Sequence, residues 1–418
     1  MILTVLGTLA QFLQTFGLGA LLLLLPFSNA AIEISFGFLL IGWLLERILP
    51  QTRKQTIWVG PKLRPLRLAL IGFLFACALS LSVSRHPLLS VQGLVDKWLE
   101  YLLFFVIVAD VIHGHPRRLR WGLLILSLSA SLVVVEAVSQ EVWGKGWFRG
   151  YPLKMFTRMT GPYENPIDLA IYLMVMIPIL WAYANTQRAV FRWMSWGLLA
   201  ALVLCLARTE AAGTWWGLSI GMFVVILKSR LLRWQAWILL TVVLLSGGIV
   251  LVRIGQFGSA LSISELGKVD RWMMWQAAIG MIRNRPWLGQ GLNTFMANYL
   301  DYWVGGERQP RYAHNCYLQV AAETGLIGLG LFLCLLWFLF TRISPKPHQS
   351  TPTFQLLLGF FGALIAYALH AGIDTDFYSL RQATLFWTMA GLALGLHESA
   401  PSPAIPLTPQ PALELSRS

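Results

Sequence analysis

Long apolar blocks alternate with short charged connections along the whole chain. Blocks of about twenty apolar residues, enough to cross the hydrocarbon core of a bilayer, recur at 4–26, 31–48, 66–84, 98–113, 121–139, 166–185, 193–209, 213–228, 235–252, 315–341, 354–372 and 382–397. Each is expected to be helical, because backbone polar groups in lipid must be satisfied within their own segment. The pattern predicts an all-α, polytopic membrane bundle of about twelve helices. It also divides the chain into a bundle over 1–252, a long loop over 253–314, further spanning helices over 315–400, and a tail from Pro401 that reads as disordered. The first block ends at Ser28-Asn29-Ala30, a small-residue sequence of the kind cleaved after a signal peptide. No Lys or Arg precedes Arg47, so the charged leader region is missing and the block reads as a retained span.

Alternate connections carry the positive charge. One set holds Arg47, Arg53, Lys54, Lys62, Arg64, Arg67, Arg117, Arg118, Arg120, Arg188, Arg192, Lys228, Arg230, Arg233, Arg342 and Lys346; the intervening short ones hold only Arg85, Lys97, Arg208 and Arg381. The positive-inside rule then places both termini in the cytoplasm, as an even number of spans requires. The long segments 140–165 (Lys145, Arg149, Lys154, Arg158) and 253–314 (Arg253, Lys268, Arg271, Arg283, Arg285, Arg308, Arg311) fall outside and are basic nonetheless. Long loops cross the membrane whatever their charge; alternatively, such a surface receives an anionic substrate.

Composition supports the membrane reading. The 418 residues are 56% hydrophobic and 12% charged, about half the charged fraction of a soluble domain, and the mean hydropathy is +0.63. A net charge of +13 would suggest nucleic acid in a soluble protein; here the basic loops of a membrane protein account for it, and no nucleic-acid partner is expected. Cys77, Cys205, Cys316 and Cys334 lie in or beside apolar blocks without metal-ligand spacing and read as small buried hydrophobes. Trp98, Trp121, Trp193 and Trp234 stand near span ends as interfacial anchors.

The chemistry concentrates in the two outer segments. From Asp270 the chain reads DRWMMWQAAIGMIRNRPWLGQGLNTF, with Trp272, Trp275, Ile279 and Ile282 at helical spacing. Asp270 is a candidate N-cap and Pro286 a stop. Such a helix is expected to lie on the membrane surface, its tryptophans at headgroup depth and Arg271 at its N-terminal end. His314-Asn315 opens the tenth span, and Gly325 and Gly328 follow, where small residues permit close helix contact.

The run from His314-Asn315 to Gly325-x-x-Gly328, with Arg271-Trp272 and WLGQGLNTF upstream and GPYENPIDLA at 161–170, resembles the O-antigen ligase and Wzy-type polymerase family of bacterial envelopes. The resemblance implies a multi-helix glycosyltransferase of the bacterial inner membrane. It would move a glycan from an undecaprenyl-diphosphate carrier to a glycan, lipid or protein acceptor, with inversion and without a metal or other cofactor. His314 matches the histidine taken as general base, and Arg271 the arginine that would grip the diphosphate leaving group. Arg158, Arg283, Arg285, Asn165 and Asn315 are the further candidate substrate-binding residues. One departure stands out: Ala211-Ala212 occupy the place where the family often has Ser-Arg. Arg208, one helical turn earlier, is the candidate replacement, although Glu210 beside it is unusual for an anion site.

Asp374-Thr375-Asp376 reads as a helix-end cluster that pairs with a neighbour such as Arg381 rather than as a metal site, and His370 as structural. Some photosynthetic-bacterial relatives are named as bicarbonate transporters, which keeps a carrier as the alternative. A carrier would place its ionisable residues near the midplane; Asp110, Glu136 and Asp168 are the candidates for that role.

Overall fold

The computed structural model describes residues 2–49, 56–153, 158–229, 263–305, 309, 312–346 and 351–400, with isolated positions between 234 and 248. The expected span 235–252 falls largely outside the described residues. So do the tail from Pro401, the basic residues Arg53, Lys54, Lys154, Arg230, Arg233, Arg253, Arg308 and Arg311, and the side chain of Lys268.

Each of the other expected spans coincides with a helix. These are α1 (Ile2–Leu24), α2 (Asn29–Ile48), α3 (Arg64–Ser80), α4 (Pro87–Gly93) continuing through a π-helical turn at Leu94–Leu99 into α5 (Glu100–Ile112), α6 (Pro116–Trp143), α7 (Pro166–Asn185), α8 (Ala189–Thr209) and α9 (Ala212–Lys228). The long loop contributes α10 (Ile263–Asn284) and the single turn α11 (Phe295–Asn298); α12 (Cys316–Ile343), α13 (Thr351–His370) and α14 (Leu380–Ser399) complete the bundle. Seven of the described helices are long and apolar enough to cross a membrane: α1, α3 with its flanking turns, α6, α7, α8, α12 and α13. That number is compatible with about twelve spans in the whole chain, since α2, α5, α9 and α14 are shorter or less apolar.

Capping sets the starts. Ser28, Asn165 and Asn315 each accept a backbone N–H of the helix that follows, and Pro87, Pro116 and Pro166 occupy first turns, where a missing N–H costs nothing. At the centre stands α7, buried along nearly its whole length and packed by α8, α9 and α13. Close approach needs small residues: a Cβ on Gly221 would lie 2.4 Å from the Gly362 carbonyl, and one on Gly395 would lie 2.7 Å from that of Ala109. Among the four expected interfacial tryptophans, Trp121, Trp193 and Trp234 are exposed, but Trp98 is buried. The π-helical turn points it inward, edge-on to Phe73 and Phe332. Cys77, Cys205 and Cys316 are buried as expected, whereas Cys334 is exposed on the outer surface of α12.

Two acidic residues named for a carrier have local structural partners. Asp110 pairs with Arg47 and accepts from Trp43, Thr56 and the Ile57 N–H. Glu136, wholly buried, accepts the N–H groups of Phe148 and Arg149 at 2.7 and 2.8 Å and so folds the 144–153 loop onto α6.

One expectation for the loop segment is corrected. Its helix begins at Ile263, so Asp270 lies inside α10 and is no N-cap; the preceding Glu-Leu-Gly-Lys-Val run simply continues the helix. Its packed face is Met274, Ala277, Ala278 and Met281, set against Phe295, Tyr299, Ala313 and Ala322. Of the tryptophan stripe, Trp272 is more than half exposed, whereas Ile282 packs against this cluster.

Gly325 also has a different purpose from helix contact. It interrupts α12 with φ 71° and ψ −178°, a region reserved for glycine. The loop 286–291 fills the break: Leu326 N–H donates to the Pro286 carbonyl at 2.7 Å, while Gln290 and Gly291 N–H groups donate to Ala322 and Glu323 carbonyls at 2.9 and 3.0 Å. A Cβ on Gly325 would sit 2.1 Å from the Trp287 carbonyl oxygen.

Candidate active site

The turn before α12 is held from several directions. Ala313 is buried, and its N–H donates to Gln319 Oε1. Asn315 spends its side-chain oxygen on the Leu318 N–H at 3.0 Å, and the Cys316 N–H donates to the Ala371 carbonyl at 2.8 Å. Between these fixed points His314 takes φ 47°, left-handed backbone that is uncommon for any residue but glycine. Strain of this kind persists only where neighbours over-determine it, and such sites are often functional.

The consequence is a His–Asp pair. Nδ1–H of His314 donates to Asp374 Oδ1 at 2.9 Å, and the Thr375 N–H donates to the same oxygen at 2.8 Å. Burial pushes the Asp374 carboxyl up, but the hydrogen bond and charge of His314, with His370 and Arg271 beyond, outweigh it and hold it at about 2. Asp374 is therefore a carboxylate at any physiological pH. A carboxylate at Nδ1 favours the tautomer with its proton there, so that in the neutral imidazole Nε2 is the acceptor.

The other oxygen of Asp374 faces Arg271, whose Nη2 lies 3.9 Å away. That is beyond hydrogen-bond length, so the carboxylate attracts the guanidinium without consuming its donors. Arg271 is 38% exposed, which leaves it accessible to an anion. The loop helix α10 thus meets α12 and the α13–α14 connection at a single carboxylate.

A second His–Asp pair stands behind the first. His370 Nδ1 and Asp376 Oδ2 are 2.8 Å apart, both fully enclosed. Burial pushes the Asp376 carboxyl up, opposed by His370. Asp374 and Asp376 are thus taken by two different histidines. The pairing expected with Arg381 does not occur: Arg381 donates to Asn29 Oδ1 at 2.7 Å and to the Pro162 carbonyl at 3.3 Å.

Arg271 and His314, but not His370, Asp374 or Asp376, fall in a region that has a counterpart among known proteins. The family model described as O-antigen ligase matches residues 193–333. Over that stretch, about a third of its length, the chain is similar to the O-antigen ligase family. Among its relatives, a protein of Rickettsia felis named "Putative polysaccharide ligase" is 25% identical over 290 residues, 64% of this chain and 66% of that protein. The corresponding protein of Rickettsia prowazekii is 28% identical over 279 residues, 62% of this chain and 64% of its own length. The match therefore spans just under two thirds of these relatives.

The other residues carried over from the ligase resemblance lie in several places. Arg208 forms an ion pair with Glu141 at the end of α6, and among the described residues no contact links its side chain to Asp374. Arg158 is close by: its Nε donates to the Thr209 carbonyl at 2.7 Å, and the Met159 N–H donates to the Arg208 carbonyl at 3.0 Å. Burial lowers the Arg158 pKa, with Glu210 opposing. The position where the ligase family often has Ser-Arg is nevertheless beside the site, because Gly213 packs on Ile373 and His370. Arg285 donates to the Val83 carbonyl. Arg283 is exposed. Asn165 and Asn315 act as helix caps.

Two residues escaped the reading of the sequence. Glu323, 1% exposed, accepts from the N–H groups of Asn293 and Phe295, from Gln319 and from Tyr378. It ties the WLGQGLNTF loop to α12 and to the turn after Asp376. Lys97 donates to Asn293 Oδ1 at 2.8 Å and lies 3.5 Å from the Tyr312 hydroxyl. An acidic residue two positions before a helix-breaking glycine was the available signal for Glu323; for Lys97 there was only its departure from the positive-inside pattern.

Proposed function

We propose that this protein is a membrane glycosyltransferase of the ligase type. It takes a glycan from an undecaprenyl-diphosphate carrier at the outer side of the cytoplasmic membrane and joins it to an acceptor sugar. The observation that carries the reading is the convergence of His314 and Arg271, from separate elements, on Asp374.

In this scheme the acceptor hydroxyl lies against Nε2 of His314. As its oxygen forms a bond to the anomeric carbon, its proton passes to Nε2, and the imidazolium is stabilised by Asp374. The bond from the anomeric carbon to the diphosphate oxygen breaks on the opposite face, and the electron pair leaves with the carrier diphosphate. Arg271 neutralises the charge that grows there, an electrostatic contribution made where it is most useful, in the transition state. One displacement inverts the anomeric centre. Both termini are then cytoplasmic.

The carrier alternative draws less support, because Asp110 and Glu136 are occupied by structural partners. Reconstitution with a carrier-linked oligosaccharide tests the choice. Transfer by the wild type, lost in both His314→Ala and Arg271→Ala, is the expected result. Equal transfer by all three would sink the site assignment, and bicarbonate flux without transfer would favour the carrier.

A further inference from the structure

Next to Tyr312, two residues before His314, lies a polar cluster that the transfer scheme leaves unused. The π-helical turn and the start of α5 supply Asp96, Lys97 and Glu100; α2 supplies Glu33. Such π-helical insertions are frequent at functional sites. Lys97 is held at 2.8 Å from Asn293 Oδ1 and 3.5 Å from the Tyr312 hydroxyl, with its ammonium 5.7 Å from the centre of the Tyr312 ring. Tyr312 itself packs on Tyr378 at 5.9 Å. Glu100 is 6% exposed, yet its Oε1 is buried with no hydrogen-bond partner in the protein. Glu33 and Asp96 lie within electrostatic range of Glu100, and Tyr312 within that of the neighbouring Tyr101. Glu33 and Asp96 are exposed, whereas Lys97 and Tyr312 are half-buried.

A buried carboxylate oxygen without a partner is a desolvation cost that native proteins rarely carry without a reason. An O–H donor from outside would remove it. The cluster offers acceptors (Glu100, Glu33), a cationic donor (Lys97) and a hydroxyl that does both (Tyr312), the mixture that suits the vicinal hydroxyls of a sugar. The diphosphate is left to Arg271, on the other side of His314.

We propose that Lys97, Glu100 and Tyr312, with Glu33 at the rim, form a saccharide subsite that orients the acceptor glycan toward His314. The inference rests on the transfer reading for its role, but not for its ligand. Glu100 would accept one hydroxyl, Lys97 would donate to a second oxygen, and Tyr312 would link the subsite to the catalytic turn.

The test is calorimetric titration of the full chain in lipid nanodiscs with maltotetraose and with chitotetraose, alongside inorganic pyrophosphate as the donor-side probe. The wild type should bind at least one tetrasaccharide. Glu100→Leu should weaken that binding by up to about ten-fold, the loss of one hydrogen bond, and leave pyrophosphate binding unchanged. Glu100→Gln, which retains an acceptor oxygen, should restore most of it. Because Glu100→Leu removes an unpaired buried carboxylate, its thermal midpoint should be equal to or above that of the wild type; a purely structural Glu100 would lower it. Equal tetrasaccharide affinity in wild type and Glu100→Leu overturns the proposal, as does binding of neither sugar to the wild type. A wild type that transfers glycan but binds no tetrasaccharide sinks the subsite alone. One that binds tetrasaccharide through Glu100 but transfers nothing sinks the transfer reading alone.

Discussion

Replacing Asp374 with asparagine changes one charge and almost no volume, which makes it a sharp probe of the His–Asp–Arg arrangement. Asp374 Oδ1 accepts from both His314 and the Thr375 N–H, so the carboxamide oxygen should settle there and the amide nitrogen should turn toward Arg271. The imidazole keeps its orientation. What it loses is the anion that stabilises the imidazolium formed as the acceptor proton arrives. A hydrogen bond to a charged partner is worth about 1.5–3 kcal/mol, and about 1.4 kcal/mol is ten-fold in rate, so kcat should fall about ten- to one-hundred-fold. Donor KM should hold, since Arg271 loses a neighbour 3.9 Å away but none of its own donors. Initial rates in proteoliposomes against carrier-linked oligosaccharide, with thermal unfolding as a folding control, measure both. Transfer within two-fold of wild type would refute a catalytic role for the pair, and a rise in donor KM at constant kcat would mean that Asp374 serves binding.

Two further outcomes follow from the geometry. Gly325→Ala forces a Cβ to within 2.1 Å of the Trp287 carbonyl oxygen at φ 71°; backbone strain and overpacking together should cost about 3 kcal/mol or more, read as a large drop in thermal midpoint with loss of transfer. Asp374 is held at about 2, below its ordinary 3.8, so its ionised form stabilises the fold above about pH 4, and that contribution fades as pH falls through the folded value near 2. The stability difference between wild type and Asp374→Asn should therefore be constant from about pH 4 to 7 and shrink between about pH 4 and 2, as followed by intrinsic fluorescence on heating; a difference that does not change over that range would contradict the pairing.

The bundle was legible because lipid imposes one rule on every span, and the rule writes itself as block length and charge alternation. His314 and Arg271 were singled out by the resemblance that their motifs carry. The carboxylate that joins them was seen only as one of a pair, because Asp374 reaches His314 across an interval that no local pattern spans. Asn165 and Asn315 were singled out as substrate ligands, but their side chains cap the helices they precede, a role that any helix-starting asparagine can assume. Gly325 was read as a contact residue because sequence does not reveal φ. Arg208 was chosen by its distance from a missing arginine; the ion pair with Glu141 depends on where α6 ends relative to α8, which helical periodicity does not fix.

One pair of quantities bears most directly on the central claim, that a base and a cation serve the same diphosphate sugar. Affinity for undecaprenyl diphosphate and single-turnover transfer from a carrier-linked oligosaccharide should be measured on wild type, His314→Ala and Arg271→Ala. The account predicts that His314→Ala binds the carrier as the wild type does but transfers at least about one-hundred-fold more slowly, whereas Arg271→Ala weakens carrier binding and slows transfer together. Full-rate transfer by His314→Ala, or unaltered carrier binding and transfer in Arg271→Ala, would contradict it.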